Sequence, residues 1–561
     1  MTATTGKTAA TGPAGSAGPT GSTAADWFLS TEERGNPFTR LAHRRGGAAW
    51  SGGNSATLHV HGAEYFARLR ELVEAQRAGD LLLFTDWRGD PDEQLGEDGL
   101  TILEMLTSAA RRGVLVRGLF WRSHLDALHY SEKENRTIAE GVRAAGGQVI
   151  LDQRVLPLGS HHQKFVVLRH PGAPERDAAF VGGIDLCHTR RDDAEHRGDP
   201  QTVGMGAIWG KTPAWHDLMV EVRGPAVGDV EATFRERWED PTPPTLEPVS
   251  RFLSPLHRGD AAPDSLPPQL PDPDPSARQE SGRANSLDVQ ILRTFPRRRP
   301  RYPFAPDGER SVARAYDKAV RRAHRMIYLE DQYVWSREVV DCFAAALRAQ
   351  PELLLVIVLS TYTTADTALA NASGMGSRAE ALELLHDAGG DRVGVYGIEN
   401  HEGTPVYVHS KLSVVDDVWM TVGSDNINLR SWTYDSELTC AILDPEADGR
   451  EPRALRHDGD PARRFPREAR LELAREHLDR AAGDDADLVD PAGMFAACRE
   501  SAARLDAWYA GGKAGPRPAG RLRTYSLPEL VRRDRMTGRL LQRLASDPDG
   551  RPRALRGTAR F

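Results

Sequence analysis

Apolar residues along this chain alternate between a helical spacing and the short continuous runs of buried strands. In residues 63–78 the apolar positions recur every three or four residues, and the apolar run Leu81–Phe84 follows. The alternation continues with a predicted helix at 100–112 and predicted strands at 114–121 and 148–151. Strands that alternate with helices predict an α/β sandwich.

A second series of the same kind begins at Val289. Its predicted elements are, in order, a strand at 289–292, a helix at 311–324, a strand at 326–329, a helix at 338–348, a strand at 353–359 and a helix at 377–387. Because the second series repeats the first, we predict two similar α/β/α sandwich halves that together form one unit.

The two series and the segments around them divide the chain into five parts. The first 25 residues are almost entirely Thr, Ala, Gly, Ser and Pro, a composition that cannot build an apolar core. The predicted parts are a disordered tail at 1–35, a first half at 36–238, a Pro-rich linker or loop at 239–286, a second half at 287–480 and an Arg-rich helical extension at 481–561.

Composition narrows the possible environments and partners. The net charge of −8 over 561 residues gives no general affinity for nucleic acid, so none is expected as a partner. No stretch reaches the ~20 apolar residues of a membrane span, and the N-terminus lacks the apolar core of a signal peptide. We therefore expect a cytoplasmic protein whose membrane contact is peripheral. The four scattered cysteines predict neither a zinc site nor a disulfide framework.

Each half carries a His and a Lys two residues apart at the start of a strand-like run. His162 and Lys164 precede one apolar run, and His409 and Lys411 precede the other. Alternation along a strand places the His and the Lys of each pair on the same face. The repetition predicts a duplicated half-site in which the two histidines meet across one cleft.

Two imidazoles and two ammonium groups suit phosphodiester chemistry. One His can attack phosphorus while the other protonates the leaving oxygen, and the lysines can hold the nonbridging oxygens. A Gly turn follows each motif at a similar distance, which would let neighbouring polar side chains approach the phosphate. The side chains predicted to bind substrate in this way are Asp185, Ser424 and Asn426.

Each imidazole also needs a group that orients its other nitrogen. Asp217 and Glu437 stand at comparable positions, immediately before strand-like runs. A carboxylate there would fix the tautomer and stabilise the protonated ring. From the order along the chain we assign Asp217 to His162 and Glu437 to His409.

The motifs resemble those of the phospholipase D superfamily, whose signature is H-x-K-x4-D. The second motif matches it fully from His409 to Asp416, and the blocks around it are similar to the phosphatidylcholine-type enzymes. Those blocks include 213–217, 223–227, 327–333 and 423–428, and the similarity extends over roughly residues 60–480. In the first motif Arg169 stands where the family has Asp, a position that supports local structure, and Asp177 follows in the same loop.

The resemblance implies a pseudo-twofold phospholipase D fold and a covalent phosphohistidine, with His162 as nucleophile and His409 as general acid. It implies no cofactor, and neither a metal nor calcium dependence is predicted. The expected function is hydrolysis of a glycerophospholipid such as phosphatidylcholine to phosphatidic acid and free alcohol, by a monomer of two pseudo-symmetric halves.

Three alternatives to this hydrolase remain open at this point. A phosphatidyltransferase resembling cardiolipin synthases would use the same chemistry, although those enzymes usually carry N-terminal membrane spans. A nuclease of the same superfamily is the second alternative, although nuclease members are typically short dimers with one motif per chain. The third is a weakened lipid-binding regulatory protein, which only Arg169 favours.

Overall fold

The computed structural model describes most of the chain. The described residues are 22–44, 47–123, 132–202, 204–245, 263–272, 287–362, 368–526, 546–558 and 560–561.

The first half contains a seven-stranded mixed sheet. Its strands are β1 (Ser51–Val60), β2 (Leu81–Asp86), β3 (Leu115–Trp121), β4 (Gln148–Asp152), β5 (Phe165–Arg169), β6 (Ala178–Gly182) and β8 (Leu218–Arg223), with the short β7 (Ala214–His216) before β8. The strand order across the sheet is β1–β8–β6–β5–β2–β3–β4. The β2–β3 and β3–β4 pairs are parallel, and the other pairs are antiparallel.

The second half repeats this sheet strand for strand. Its strands are β9 (Leu287–Phe295), β10 (Glu309–Arg310), β11 (Met326–Asp331), β12 (Leu354–Leu359), β13 (Val393–Glu399), β14 (Pro405–Val408), β15 (Leu412–Val415), β16 (Trp419–Gly423), β17 (Glu437–Leu443) and β18 (Leu522–Thr524). The order β9–β17–β16–β15–β11–β12–β13 matches that of the first sheet. Strand β1 pairs with β9 near Ser51 and Asn54 and with β8 from Ser55 onward, so it belongs to both sheets.

Helices cover both faces of each sheet. They are α1 (Ala24–Trp27), α2 (Thr31–Arg34), α3 (Gly62–Glu74), α4 (Ile102–Arg111), α5 (Glu132–Ala144), α6 (Ala226–Trp238), α7 (Ser311–Val320), α8 (Arg337–Ala349), α9 (Ala368–Gly389), α10 (Leu429–Thr433), α11 (Arg464–His477) and α12 (Pro491–Ala510). Helices α3–α5 pack on one face of the first sheet, and α7–α9 pack on the matching face of the second. The opposite faces share one core with α6, α11 and α12. The predicted pair of similar α/β/α halves is confirmed.

The C-terminal boundary of the predicted disordered tail is wrong. Residues 22–35 are described and include α1 and α2, and residues 1–21 lie outside the described part. Trp27, Phe28 and Leu29 are buried in the core that α7 also joins. Burial of these three large apolar side chains is favourable although the composition around them is polar, so the described structure already includes residues 22–35.

The predicted linker and extension both contribute to the halves. Trp238 Nε1, at the end of α6, donates a hydrogen bond to Asp264 O of the linker at 2.8 Å. This bond holds residues 263–272 against α6. In the extension, which was predicted to be helical, α12 spans Pro491–Ala510, and residues 527–545 lie outside the described residues. Strand β18 pairs antiparallel with β13, so the extension also completes the second sheet. Among the described helices, none combines the length and apolar character needed to cross a membrane.

We predict that Trp27→Ala lowers the free energy of unfolding by ~3–5 kcal/mol, because it removes a fully buried ring from the core that α7 also joins. Chemical denaturation should show the loss. Phe38→Ala is the matched control, since Phe38 is 59% exposed and its truncation should change stability by less than ~0.5 kcal/mol. Equal effects of the two substitutions would contradict the burial of this segment.

Candidate active site

Each His-Lys motif is held by backbone of the opposite half. His162 N donates to Ser436 O at 3.0 Å, and His409 N donates to His216 O at 2.8 Å. Strand β7 of the first half also pairs in parallel with β14 of the second, which leads directly into His409. Because both motifs are bonded across the interface between the halves, the two histidines lie in one shared site.

The assignment of carboxylates to histidines made from the sequence is wrong. Glu437 Oε2 lies 2.9 Å from His162 Nδ1, and Asp217 Oδ2 lies 2.7 Å from His409 Nδ1. Each carboxylate therefore orients the imidazole of the other half. The physical reason is that the residues immediately before the carboxylates, Ser436 and His216, pair with the opposite motif and carry the carboxylates there.

The close approach of Asp217 depends on a glycine in the first of the two turns. A Cβ at Gly183 would lie only 2.1 Å from Asp217 Oδ1. The absence of a side chain at residue 183 thus makes room for the carboxylate that orients His409.

The two lysines are buried beside the histidines. Lys164 Nζ donates to His162 O at 3.0 Å, and Lys411 donates to His409 O. Burial lowers the pKa of Lys411 to about 8, although Asp217 opposes the shift. Two cations in one buried site create a positive potential suited to an anionic group.

The three side chains predicted to bind substrate differ in their surroundings. Asp185 is buried, with Oδ1 3.5 Å from Lys164 Nζ. Ser424 is also buried, and its hydroxyl donates to Glu437 Oε2 at 2.6 Å. These two residues therefore contact catalytic side chains, and their contact with substrate stays a prediction. Asn426 Oδ1 is buried without a hydrogen-bond partner among the described residues, and its contact with substrate stays a prediction.

Asp416 has the structural position that the second motif predicts for it. Its Oδ1 accepts hydrogen bonds from Arg325 N at 2.8 Å and Met326 N at 2.9 Å, and its Oδ2 accepts one from His324 N at 2.7 Å. Burial raises the pKa of Asp416 to about 6, against the effect of these bonds. Asp416 thus fixes the entry into β11, the strand next to β15.

Arg169, at the matching position of the first motif, makes a different set of contacts. The Arg169 Nε atom lies 3.3 Å from both Asp177 Oδ2 and Glu231 Oε2. Its Nη2 donates to Leu270 O at 3.0 Å and to Pro271 O at 2.7 Å. The arginine therefore joins β5 to α6 and to the linker, and Asp177 serves as one of its ion partners.

The two imidazole–carboxylate pairs have opposite electrostatics. Burial and the charge of Asp435 raise the pKa of Glu437 to about 8. Burial opposes ionisation of Asp217 too, but His409 and Lys411 outweigh it, and its pKa falls below the usual value. At neutral pH the pair containing Glu437 therefore holds one proton more than the pair containing Asp217.

Burial and the lysine charges favour the neutral form of both histidines. Burial, and then the charges of Lys164 and Lys411, lower the pKa of His162 well below its usual value. Burial and Lys411 lower the pKa of His409 to about 3, although Asp217 opposes this. That lysines of both halves act on His162 is a further sign of a single site.

One cation beside the site was missed by the sequence analysis. The Arg190 guanidinium carbon lies 4.0 Å from the Trp215 ring centroid, and that ring lies 5.0 Å from the His409 ring. Arg190 Nη2 is also 3.7 Å from Asp185 Oδ2. The segment around Arg190 has neither an apolar period nor a repeat in the second half, so no sequence signal singles it out.

Each half contributes a His-Lys pair to the site and a carboxylate that orients the histidine of the other half. These features define the class of proteins in which one chain carries two His-Lys motifs that form a single site. The family model described as Phospholipase D matches residues 93–340, so the chain is similar to the phospholipase D superfamily over this range.

Two plant proteins illustrate the similarity. Phospholipase D alpha 1 of Cynara cardunculus is 26% identical over 472 residues, covering 64% of this chain and 57% of the relative. Phospholipase D beta 2 of Arabidopsis thaliana is 27% identical over 380 residues, covering 51% and 41%. The chain thus spans about half the length of the curated relatives it matches. The solved phosphatidylserine synthase of Haemophilus influenzae aligns at a TM-score of 0.45 and 14% identity, over 70% of this chain and 82% of that one.

We predict that Glu437→Gln changes how stability depends on pH. The pKa of Glu437 is raised in the folded protein, so the folded state keeps a proton that the unfolded state releases, and stability falls as pH rises from about 4.5 to about 8. The glutamine variant lacks this fall. Its stability relative to the wild type should therefore increase across this range in denaturant titrations.

Asp217→Asn provides the matched control for this experiment. The pKa of Asp217 is lowered, so its stabilising effect is already complete above the unfolded value of about 4. It stays constant from pH 5 to about pH 6, below the titration of Lys411, whose pKa Asp217 helps to keep at about 8. A pH-dependent difference for the asparagine variant in this range, or none for the glutamine variant, would contradict the proposed asymmetry.

Proposed function

We propose that this protein hydrolyses a glycerophospholipid such as phosphatidylcholine to phosphatidic acid and free alcohol, through a phosphohistidine at His162. The observation that carries the proposal is the crossed geometry, in which each half supplies the carboxylate for the imidazole of the other. Such an arrangement orients two imidazoles and two lysines toward one phosphate.

His162 is suited to attack phosphorus. Its Nδ1 faces Glu437, which leaves Nε2 for the substrate. The raised pKa of Glu437 and the lowered pKa of His162 favour keeping the extra proton of this pair on the carboxyl group, so the ring stays neutral and nucleophilic. Its side chain is 17% exposed, against 8% for that of His409, which favours the first as the attacking group.

In the first step, His162 Nε2 forms a bond to phosphorus while the bond from phosphorus to the head-group oxygen breaks. That oxygen takes a proton from His409, and the free alcohol leaves. Ionised Asp217 stabilises the protonated ring, and the bound phosphate offsets the Lys411 charge that otherwise disfavours protonation of His409. Lys164 and Lys411 neutralise the nonbridging oxygens as charge moves.

In the second step, water attacks the phosphorus of the phosphohistidine and gives a proton to His409. The bond between phosphorus and His162 Nε2 breaks, and phosphatidic acid is released. His162 is free again and His409 is protonated, so the cycle balances without a redox partner.

Apolar side chains around the site favour a lipid over a polar phosphodiester. Tyr362, 40% exposed, contacts the ring of Trp209, which contacts Tyr407 and through it the His409 ring. Ile208, next to Trp209, is 50% exposed. An exposed apolar rim that continues to the catalytic ring suits acyl chains or an interfacial membrane surface.

We predict that the wild type releases choline from phosphatidylcholine vesicles without added metal. His162→Ala and His409→Ala should each lower the rate by at least roughly 10³-fold, because each removes a group that forms or breaks a bond. His401→Ala is the control, since its side chain is 47% exposed and pairs with Asp479 away from the site. Activity that survives both catalytic substitutions would contradict the mechanism.

A second measurement separates the mechanism from the substrate. Rapid acid-free quenching with a short-chain phosphatidylcholine, followed by peptide mass mapping, should find the phosphatidyl adduct on the peptide that contains His162. An adduct on the peptide of His409 would reverse the two roles. Cleavage of bis(p-nitrophenyl) phosphate without choline release would contradict phosphatidylcholine as the substrate while retaining the phosphodiesterase chemistry.

A further inference from the structure

A buried cluster of histidines lies directly behind the catalytic histidine of the second half. His61 precedes α3, His196 lies in the loop before β7, and His216 ends β7. Glu476 reaches them from α11 of the second half. These four residues, here called the histidine cluster, have no part in the proposed phosphodiesterase steps.

The three imidazoles of the histidine cluster surround a common centre. Their ring centroids are 4.8 Å apart for His61 and His196, 5.1 Å for His61 and His216, and 5.7 Å for His196 and His216. All three rings are nearly perpendicular to one another, with interplanar angles of 62–84°. Stacked packing is thus absent, and the ring edges and their nitrogen atoms face inward.

The facing atoms have the spacing of a metal coordination shell. Glu476 Oε2 lies 2.9 Å from His61 Nε2, and Glu476 Oε1 lies 3.1 Å from His196 Nε2 and 3.5 Å from His216 Nδ1. One atom from each of the four residues lies within 4.8 Å of the others. Ligands at 2.0–2.1 Å from a tetrahedral zinc ion are about 3.3 Å apart. The distances from Glu476 to the three rings are already close to this value, whereas ligand atoms up to 4.8 Å apart would move closer together around an ion.

Carboxylates outside the cluster lie near two of the three remaining ring nitrogens. Glu330 Oε2 is 2.7 Å from His216 Nε2, and Asp192 Oδ2 is 3.6 Å from His196 Nδ1. Carboxylates that orient the second nitrogen of a ligating histidine are a common feature of zinc sites, because they fix the ring and raise its basicity.

The cluster also leaves buried nitrogen atoms without hydrogen bonds. Among the described residues, His216 Nδ1, one of the inward-facing atoms, has no hydrogen-bond partner, and neither has His61 Nδ1. Both residues are at most 3% exposed. Buried polar atoms normally have a partner, and coordination of a cation by His216 Nδ1 would supply one.

We propose that His61, His196, His216 and Glu476 bind one divalent transition-metal ion, with zinc as the best match to three imidazoles and a carboxylate. This ion has a structural role. It joins α11 of the second half to three segments of the first, and it fixes His216, whose carbonyl oxygen accepts the His409 N–H. The proposal does not depend on the identity of the phosphodiester substrate.

We predict one tightly bound zinc per chain after the full-length protein is loaded with Zn²⁺ and dialysed against metal-free buffer, measured by elemental analysis. His196→Ala and Glu476→Gln should lower the zinc content at least tenfold. The matched control is His59→Ala, because His59 is also buried on the first half but pairs with Glu64 and Glu221 outside the cluster. Its zinc content should equal that of the wild type.

His477→Ala distinguishes the cluster from an adjacent arrangement. His477 Nε2 is 2.8 Å from Glu330 Oε1, and His216, Glu330 and His477 form a second set of close donors. If the ion is bound by the proposed residues, this variant keeps its zinc, whereas loss of zinc would move the site to the second set and overturn the assignment.

A spectroscopic measurement on the wild type avoids any dependence on how the variants fold. Co²⁺ added to the metal-free protein should give the visible absorption of a tetrahedral site with nitrogen and oxygen ligands, saturating at one equivalent. Added Zn²⁺ should abolish this absorption and raise the melting temperature. The absence of stoichiometric zinc and of a Co²⁺ spectrum in the wild type would overturn the proposal.

Discussion

The exchange of carboxylates between the halves is the constraint on which the rest of this structure depends. Glu437 reaches His162 and Asp217 reaches His409, so neither half can orient its own imidazole. A buried imidazole without its partner would lose both tautomer and direction. The site therefore exists only when the two sheets are assembled, and strand β1, shared by both sheets, fixes them in that arrangement.

The duplication is symmetric in backbone and asymmetric in charge. Both sheets have the same strand order, yet Asp416 binds three backbone amides where Arg169 forms ion pairs with Asp177 and Glu231. The carboxylates differ as well, since burial and then the charge of Asp435 raise the pKa of Glu437 and favour its protonated form. Two half-sites of common shape can thus hold different numbers of protons, which a reaction with distinct nucleophile and acid requires.

Much of the fold could be predicted from the sequence because it rests on local patterns. Apolar runs and helical spacing define strands and helices, and repetition of the series reveals the two halves. Pairing of Asp217 with His409 could not be predicted, because order along the chain does not show which half a carboxylate faces. The early order at Trp27 was missed for another reason: a few large apolar side chains outweigh the polar composition around them.

The histidine cluster illustrates the same limit over a longer distance. His61, His196 and Glu476 are separated by hundreds of residues and belong to no spaced motif, so only the assembled halves bring them together. His216 connects the cluster to the catalytic site, because the next residue is Asp217 and its own carbonyl oxygen binds the His409 N–H. A shift of His216 would move the carboxylate and the backbone of His409 together. An ion bound by the nitrogen and oxygen atoms of the cluster would therefore also fix the position of the His409 imidazole.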